Sequence, residues 1–461
     1  MTVLRYLALA CDYDGTIATH GRVWPDTVRA FERLVASGRK LILVTGRELP
    51  ELQAVFPELP LFHLVVAENG ALLYRPSDGQ QQLLAQPPSE EFVQLLRERG
   101  VARISVGKTI VATWEPHEVT VLQTIRDMGL ELQVIFNKGA VMVLPAGVNK
   151  ATGLRAALKE FGLSLHEVVG VGDAENDHAF LSVCECSAAV ANALPALKEK
   201  ADLVTAGDHG AGVVELIDRV LDDDLQSLSG QVTRHHLSIG VGHDGGELRI
   251  DPGTARLVAA QQTPDGLPPA AVRLLDSLTT AHYQTVVLAA EPHNMLAGRS
   301  VTLGTADNPP TVEELLMGVA SPRNSVAVDL SALPLEERTA FTAAALAGLQ
   351  ELRGRTNRPH WIVLHEPGQL MSENAEQQRD ITGDWPDNRC LMVAQHSAGL
   401  PSLTKGDSLA LATDADWLGR WSDSHVSADR PLAEDETWVL RDGIRFRVRT
   451  EEKNSSAEPS T

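Results

Sequence analysis

Short apolar runs alternate with helical patterns along the N-terminal part of the chain. Buried strands are predicted at residues 4–10, 41–44 and 64–67, because each is a short apolar run that ends at polar or turn-forming residues. Between the first two runs, the spacing of apolar residues predicts a helix at 25–37 that ends at Gly38. Strands and helices that alternate in this way form parallel sheets, so the chain is predicted to begin with a Rossmann-like α/β fold.

The pattern changes between residues 84 and 147. Two helix–strand–strand units follow each other there, without the long crossovers of a parallel sheet. This order predicts a small, open-faced α+β insert. The parallel pattern then resumes with a helix at 152–161 and a strand at 168–171, so the core domain is predicted at residues 1–83 and 148–222.

The second half of the chain carries another α/β pattern. A polar stretch that opens with three aspartates predicts a linker at 223–234, and a second domain is predicted at 235–450. Residues 451–461 are polar and are predicted to be a disordered tail. Buried strands of the second domain are predicted at 257–260, 285–288, 325–329, 361–364 and 390–394.

Composition and charge narrow the classes of partner. The 461 residues are enough for two or three domains, and contents of 43% hydrophobic and 22% charged residues are typical of globular proteins. The formal net charge of −21 repels nucleic-acid phosphates and anionic lipids, so neither is expected as a partner. No apolar stretch reaches the ~18 residues that a membrane span requires.

The cysteines favour a reducing compartment. Cys11, Cys184, Cys186 and Cys390 are too few and too scattered for a disulfide scaffold or a four-cysteine zinc site. The apolar run before Cys11 is shorter than the roughly 7–15 residues of a secretion signal, and acidic residues follow it at once. A cytoplasmic location is therefore expected.

Polar side chains follow three of the predicted parallel strands. Asp12 and Asp14 come after the first strand, Thr45 after the second, and Asp173 after the strand that follows the insert. The carboxyl ends of parallel strands lie at one edge of a sheet, where open α/β folds bind ligands, so these side chains are expected to converge. Lys150 stands at the predicted start of the helix that precedes Asp173.

Crowded carboxylates predict a metal site at this edge. Asp12, Asp173 and Asp177 would bring several negative charges together, which is unfavourable unless a cation lies among them. Carboxylate oxygens suit Mg²⁺. A divalent cation would cancel the charge of these side chains.

The four motifs, in this order, resemble those of the haloacid dehalogenase superfamily. The motifs are Asp12-Tyr-Asp-Gly-Thr, Thr45, Lys150 and Gly172-Asp-Ala-Glu-Asn-Asp, and the resemblance covers about residues 4–220. It indicates the phosphatase branch of that superfamily, in which a cap domain is inserted between the second and third motifs. Residues 84–147 would be that cap, which closes over the site and excludes water.

The resemblance implies a role for each motif residue. Asp12 would attack phosphorus and form an aspartyl-phosphate, and Asp14 would protonate the leaving oxygen and then activate water. Thr45 and Lys150 would hold the phosphoryl oxygens. Mg²⁺ would be bound by the Asp12 carboxylate, the Asp14 backbone carbonyl and Asp173. Asp177 would be either a further metal ligand or a residue that orients one.

Other residues are expected around the substrate or the metal ligands, and for several of them a second interpretation stays open. The expected set is Gly46, Arg47, Asn69, Asn149 and Asn176. The segment that contains Asn69 could be only a tight turn. In the insert, Arg103 and Lys138 are either substrate contacts or solvated surface residues.

The second domain resembles the P-loop ATPases in the order of its elements more than in its motifs. After the strand at 257–260, the chain lacks the lysine of a phosphate-binding loop, and Pro264 and Pro268 remove backbone donors. His365 stands where an acid would hold the metal, before Glu366. We therefore expect a degenerate P-loop-like domain that does not hydrolyse ATP and has a regulatory or protein-binding role. The alternative is an unrelated doubly wound sheet.

Three functions are consistent with these patterns. The first is a Mg²⁺-dependent phosphatase that acts on a small phosphorylated metabolite, such as a sugar phosphate. The second is a phosphomutase that uses the same aspartyl-phosphate step. The third is a non-catalytic scaffold, which the complete set of motif residues argues against.

Overall fold

The structure is a computed structural model, and it comprises two compact units. The first is Leu4–Arg234, and the second begins at His235. The described residues are 4–254, 257–291, 295–296, 298–305, 307–371, 389–397, 400, 408–421, 432–441 and 443–450. The predicted tail at 451–461 lies outside them.

The first unit contains fourteen strands and eight α-helices. The strands are β1 Ala8–Cys11, β2 Ala18–Thr19, β3 Arg22–Val23, β4 Lys40–Val44, β5 Leu64–Ala67, β6 Leu72–Arg75, β7 Gln80–Leu83, β8 Ser105–Val106, β9 Val111–Trp114, β10 Leu132–Asn137, β11 Ala140–Pro145, β12 Val168–Gly172, β13 Cys186–Ala189 and β14 Leu203–Val204. The helices are α1 Pro25–Ala36, α2 Leu49–Val55, α3 Glu90–Glu98, α4 Glu118–Asp127, α5 Lys150–Phe161, α6 His178–Leu181, α7 Pro195–Lys198 and α8 His209–Asp223.

Eight of these strands form the main sheet, in the order β14-β13-β12-β1-β4-β5-β6-β7. The pairs from β14 to β5 are parallel, and β6 and β7 add an antiparallel edge. Strand β1 is buried along its whole length, as expected for a strand covered on both faces. Its last residue, Cys11, pairs with Val171 on one side and Leu43 on the other. The carboxyl ends of β12, β1 and β4 are therefore level.

Helix α5 is held closely against β5. Asn149 caps its start, since its side chain accepts hydrogen bonds from the backbone N–H groups of Ala151 and Thr152. Gly153 lets the helix approach the sheet, because a Cβ atom there would lie 2.6 Å from the Cα of Gly70. This packing fixes the position of Lys150, the first residue of the helix.

The insert, residues 84–147, forms a separate four-stranded antiparallel sheet in the order β10-β11-β9-β8. Helices α3 and α4 pack on it around a small apolar core that includes Phe92, Val121 and Val141. Strands β10 and β11 form a hairpin in which Asn137 pairs with Ala140. Lys138 stands at the tip of that hairpin, with a left-handed φ of 49°.

The predicted linker at 223–234 packs on the first unit. Leu225 and Val232 are buried in the core of that unit. The Arg234 guanidinium donates to the carbonyl oxygens of Leu181, Ser182 and Cys184 at 2.6–3.1 Å. The segment is thus attached to the first unit by both apolar and polar contacts.

The second unit is built on an eleven-stranded sheet in the order β16-β15-β25-β24-β23-β17-β22-β21-β18-β20-β19. The pairs from β23 to β19 are parallel, and the remaining pairs are antiparallel. The strands are β15 Leu237–Gly242, β16 Glu247–Ile250, β17 Leu257–Gln261, β18 Thr285–Ala289, β19 Val301–Leu303, β20 Val326–Asp329, β21 Trp361–His365, β22 Cys390–Ala394, β23 Leu409–Ala412, β24 Glu436–Arg441 and β25 Ile444–Arg449. The helices are α9 Pro269–Thr280, α10 Val312–Ala320 and α11 Leu335–Thr356.

Two general features of the chain bear on its environment. All four cysteines are buried free thiols, and Cys184 Sγ donates to the carbonyl oxygen of Phe180 at 3.1 Å. Within the described ranges, no helix combines the length and apolar character that crossing a membrane requires.

The contact between α5 and β5 generates the first testable prediction. Gly153→Ala should destabilise the first unit by about 1–3 kcal/mol, because the added methyl group overpacks against Val66 and Gly70. Gly354→Ala is a matched control in α11, where a Cβ would meet nothing within 4 Å. It should stabilise its helix by about 0.5–1 kcal/mol. Urea denaturation measures both, and an unchanged midpoint for Gly153→Ala would contradict the packing argument.

Candidate active site

Asp12 lies directly after β1, at the centre of a polar cluster. The other members of this cluster are Thr16, Lys150, Asp173 and Asp177. Asp12 is 5% exposed. The Lys150 ammonium donates to its Oδ1, and the Thr16 hydroxyl lies 3.1 Å from its Oδ2. The same hydroxyl lies 3.1 Å from Asp173 Oδ1, so Thr16 bridges the two carboxylates. Burial raises the pKa of Asp12, and the nearby Asp177 carboxylate raises it further, whereas Lys150 opposes both effects.

Asp177 organises the loop that carries Asp173. Its Oδ2 accepts hydrogen bonds from the backbone N–H groups of Asp173 at 2.8 Å and Ala174 at 2.9 Å. Its Oδ1 accepts from the Lys150 ammonium at 2.6 Å. Asp177 therefore bonds through both of its oxygens, to the backbone of the loop that carries Asp173 and to Lys150.

Lys150 is the buried cation of the cluster. Its side chain is 1% exposed and forms ion pairs with Asp12 and Asp177. Burial opposes its charge, but the two carboxylates outweigh burial and raise the pKa of Lys150 above its ordinary value. The ammonium therefore stays charged at neutral pH.

Asp14 uses its side chain and its backbone in different directions. Both carboxylate oxygens accept from the Arg47 guanidinium, with Nε to Oδ2 at 2.6 Å and Nη2 to Oδ1 at 2.7 Å. In this bidentate pair the Asp14 side chain is 40% exposed. The backbone oxygen of Asp14 instead accepts from the Lys138 ammonium at 3.2 Å, in a turn where Gly15 is required, because any Cβ there would clash with the Asp173 carboxylate.

Thr45 follows β4 and is buried at the edge of the cluster. Its backbone N–H donates to the carbonyl oxygen of Val66 at 2.8 Å, and its own carbonyl accepts from Asn69 at 2.9 Å. Its hydroxyl accepts from the backbone N–H of Arg47 at 3.1 Å. The loop after β4 is thereby tied to the turn after β5.

Two asparagines form a buried pair beside Gly46. Asn176 Nδ2 donates to Asn69 Oδ1 at 3.1 Å. A Cβ at Gly46 would lie 3.6 Å from Asn176 Nδ2, which places this glycine next to the pair. Within the described part of the chain, Asn69 Nδ2 and Asn176 Oδ1 are buried and have no hydrogen-bond partner. Asn149, in contrast, caps α5 and does not join the pair.

Lys138 reaches the cluster from the insert. Its ammonium lies 2.7 Å from Asp173 Oδ2 and 3.2 Å from the backbone oxygen of Asp14. The side chain is 47% exposed, and its ammonium contacts one carboxylate and one backbone carbonyl oxygen. Arg103, the other cationic residue that the sequence singled out in the insert, is exposed.

Glu68 is a residue whose role the sequence did not predict. It lies after β5 with a left-handed φ of 50° and is fully buried. Its carboxylate accepts from the backbone N–H groups of Lys108 at 2.9 Å, Thr109 at 2.7 Å and Ile110 at 3.0 Å. Glu68 therefore fastens a loop of the insert to the core. The sequence held one indication of this residue, an apolar run at residues 64–67 that ends at the charged Glu68.

The donor set fits a hard divalent cation. Ligand atoms of Asp12, Asp173 and Asp177 all lie within 4.8 Å of one another, and this is the only such group of three among the described residues. The backbone oxygen of Asp14 adds a fourth oxygen on the side of Asp173. Oxygen donors of this kind suit Mg²⁺, Ca²⁺ or Mn²⁺ and do not favour the nitrogen- and sulfur-preferring metals.

Comparison with known proteins points to one family. A family model described as haloacid dehalogenase-like hydrolase matches residues 9–111 and 123–217. The chain is 30% identical over 223 residues to a phosphoglycolate phosphatase of Methanothermobacter thermautotrophicus, an alignment that covers 46% of this chain and 98% of that protein. It is 28% identical over 227 residues to phosphoglycolate phosphatase 2 of Saccharolobus solfataricus, covering 48% of this chain and 94% of that protein.

A structural comparison gives a match over a similar share of the chain. The crystal structure of a haloacid dehalogenase-like hydrolase from Bacteroides thetaiotaomicron has a TM-score of 0.42 and 19% sequence identity. The match covers 47% of this chain and 99% of that one. The residues matched by the family model lie within the first unit.

The anchoring of the insert by Glu68 generates the second prediction. Glu68→Ala should destabilise the first unit by about 3 kcal/mol, because three backbone donors of the insert lose a charged acceptor in a buried setting. Glu48→Ala is the control, since the hydrogen bond that Glu48 accepts from the insert comes from the exposed Ser105 hydroxyl. Hydrogen exchange at residues 108–110 should accelerate in Glu68→Ala alone. Equal exchange in both variants would contradict the anchoring role.

Proposed function

The chain belongs to the family of haloacid dehalogenase-like hydrolases and is a phosphatase, and we propose that it hydrolyses a small phosphorylated metabolite through a phosphorylated Asp12. The observation that carries this proposal is the position of Asp12. Its carboxylate lies at the level ends of three parallel strands, between a buried ammonium and a second carboxylate. A nucleophile in that position is oriented from both sides.

In the proposed first step, a carboxylate oxygen of Asp12 bonds to phosphorus and the bond from phosphorus to the ester oxygen breaks. Asp14 gives its proton to the departing oxygen. In the second step, water attacks the same phosphorus and Asp14 takes a proton from that water. The Asp12–phosphorus bond then breaks, and inorganic phosphate leaves.

The contacts of Asp14 bear on how it can act. Both of its oxygens accept hydrogen bonds from Arg47, which orients the carboxylate, while each oxygen keeps a second lone pair that can take a proton. Arg47 thus holds Asp14 ready between turnovers. The half-exposed position of Asp14 is consistent with a group that exchanges protons with solvent.

The remaining residues are proposed to hold the phosphoryl group. Lys150 and Thr45 provide a cation and a hydroxyl at the buried side of the site, and Asn69 Nδ2 offers a further donor. The carboxylates of Asp12 and Asp173 and the carbonyl of Asp14 would hold Mg²⁺, which when bound neutralises charge on the transferring phosphoryl oxygens.

The substrate class is proposed from the relatives. The curated proteins of Methanothermobacter thermautotrophicus and Saccharolobus solfataricus are named phosphoglycolate phosphatases, so phosphoglycolate is the first substrate to test. Small sugar phosphates come next.

The decisive test is the Asp12→Asn variant. It should lower turnover of p-nitrophenyl phosphate by about a thousandfold or more while leaving the circular dichroism spectrum unchanged, because the amide is a poor nucleophile. Asp26→Asn changes an exposed aspartate that pairs with Arg29 and should keep wild-type turnover. Free phosphate should be released from phosphoglycolate or a sugar phosphate, and chelation of Mg²⁺ should stop it. Isomerised substrate without free phosphate would indicate a mutase instead.

For the second unit we propose a degenerate P-loop-like domain that does not hydrolyse nucleotides and has a regulatory or protein-binding role. Strand β17 has parallel neighbours on both sides, β22 and β23. The loop after it closes on itself, because the backbone groups of Thr263 and Gly266 bond to each other at 3.0 Å in both directions. Amides used in this way are not free to bind phosphate, and Pro268 occupies the N-cap of α9.

This proposal predicts that nucleotides do not stabilise the second unit. Addition of a non-hydrolysable ATP analogue with Mg²⁺ to the full chain should shift the melting temperature by less than about 1 °C relative to Mg²⁺ alone, since a ligand that does not bind the native state cannot stabilise it. The buried Trp361 and Trp438 report on this unit by fluorescence. A shift of several degrees in that signal would contradict the proposal.

A further inference from the structure

Lys138 stands out because its ammonium contacts the same oxygens that are proposed to bind the metal. It lies 2.7 Å from Asp173 Oδ2 and 3.2 Å from the Asp14 carbonyl oxygen. A Cβ at residue 15 would lie 2.6 Å from the same nitrogen, so Gly15 leaves the space through which Lys138 enters. The Lys138 ammonium of the insert thus contacts two oxygens of the core at once, one from Asp173 and one from Asp14.

The two lysines of the cluster differ in how they are held. Lys150 is 1% exposed, starts a capped helix and bonds to Asp12 and Asp177. The side chain of Lys138 is 47% exposed and stands at a hairpin tip, and its ammonium forms an ion pair with Asp173. Lys150 is therefore the fixed cation and Lys138 the exchangeable one.

Charge favours such an exchange. The carboxylates of Asp12, Asp173 and Asp177 face two ammonium groups, which leaves one negative charge when all three are ionised. A divalent cation in place of the Lys138 ammonium would balance the cluster. It would also form stronger bonds to carboxylate and carbonyl oxygens than an ammonium does.

We propose that Lys138 is a tethered competitor of the divalent cation, which occupies the oxygens of Asp173 and Asp14 until the metal binds and displaces it. The inference rests on the proposed function, because it requires the metal site. It makes metal binding and the position of the insert hairpin mutually dependent. Lys138 is thereby a positioning residue that contacts the metal ligands rather than the substrate.

The first test measures metal affinity directly, without turnover. Mn²⁺ binding to the full chain is followed by the loss of its free electron paramagnetic resonance signal. Lys138→Met should bind Mn²⁺ about tenfold more tightly than the wild type, the size expected when one charge-assisted competitor is lost. Lys138→Gln should show the same gain. Lys108→Met is the control, since that lysine also belongs to the insert but contacts Gln81 and should leave the affinity unchanged.

The second test uses the wild-type chain and separates displacement from simple charge repulsion. Reaction of Lys138 with an amine-reactive reagent, followed by peptide mass spectrometry, should become several-fold faster with saturating Mn²⁺, while that of Lys108 stays constant. Unchanged or slower labelling of Lys138, or equal Mn²⁺ affinities in wild type and Lys138→Met, would overturn the inference and leave the proposed phosphatase mechanism intact. Absence of Mn²⁺ binding in every variant would instead overturn the metal site on which the proposed function depends.

Discussion

The buried ammonium of Lys150 is the charge on which the rest of the site depends. It joins Asp12 to Asp177, and without it carboxylates less than 5 Å apart would face one another in a region shielded from water. Burying a lysine is costly, and its two carboxylate partners offset that cost. Helix α5 sets the position of this ammonium, and the close packing of Gly153 sets the position of α5. The packing of Gly153 therefore affects how near the Lys150 charge lies to Asp12.

The parts of the site that the sequence anticipated are those at strand and helix ends. Asp12, Thr45 and Asp173 follow buried apolar runs, and a parallel sheet brings such ends to one edge whatever the detailed packing. Lys150 was anticipated for a similar reason, since a helix start near that edge points its first side chains toward it. The family resemblance added chemical roles to these positions, and membership of the family is confirmed.

The contacts that the sequence did not specify all join segments whose relative position depends on tertiary packing. Glu68 bonds to the insert loop at residues 108–110, and Lys138 bonds to Asp173. The spacing of apolar residues could not predict these contacts, because it does not tell which edge of the insert faces the core. The sequence left Lys138 between a substrate contact and a solvated residue. The structure places the Lys138 ammonium on the Asp173 carboxylate and leaves 47% of the side chain exposed. The turn after β1 places Asp14 beside Arg47, and the two form a bidentate pair.

The two units use their strand-end loops in opposite ways. In the first, the loops after β1 and β12 bring carboxylate oxygens of Asp12, Asp173 and Asp177 within 4.8 Å of one another, and Asp177 accepts from the backbone N–H of Asp173. In the second, the backbone groups of Thr263 and Gly266, in the loop after β17, bond to each other. A loop that meets its own hydrogen-bonding needs gains local stability but loses the capacity to bind an anion. The loops at the carboxyl ends of the parallel strands thus differ between the units: they present carboxylate oxygens in the first, and two backbone groups paired with each other in the second.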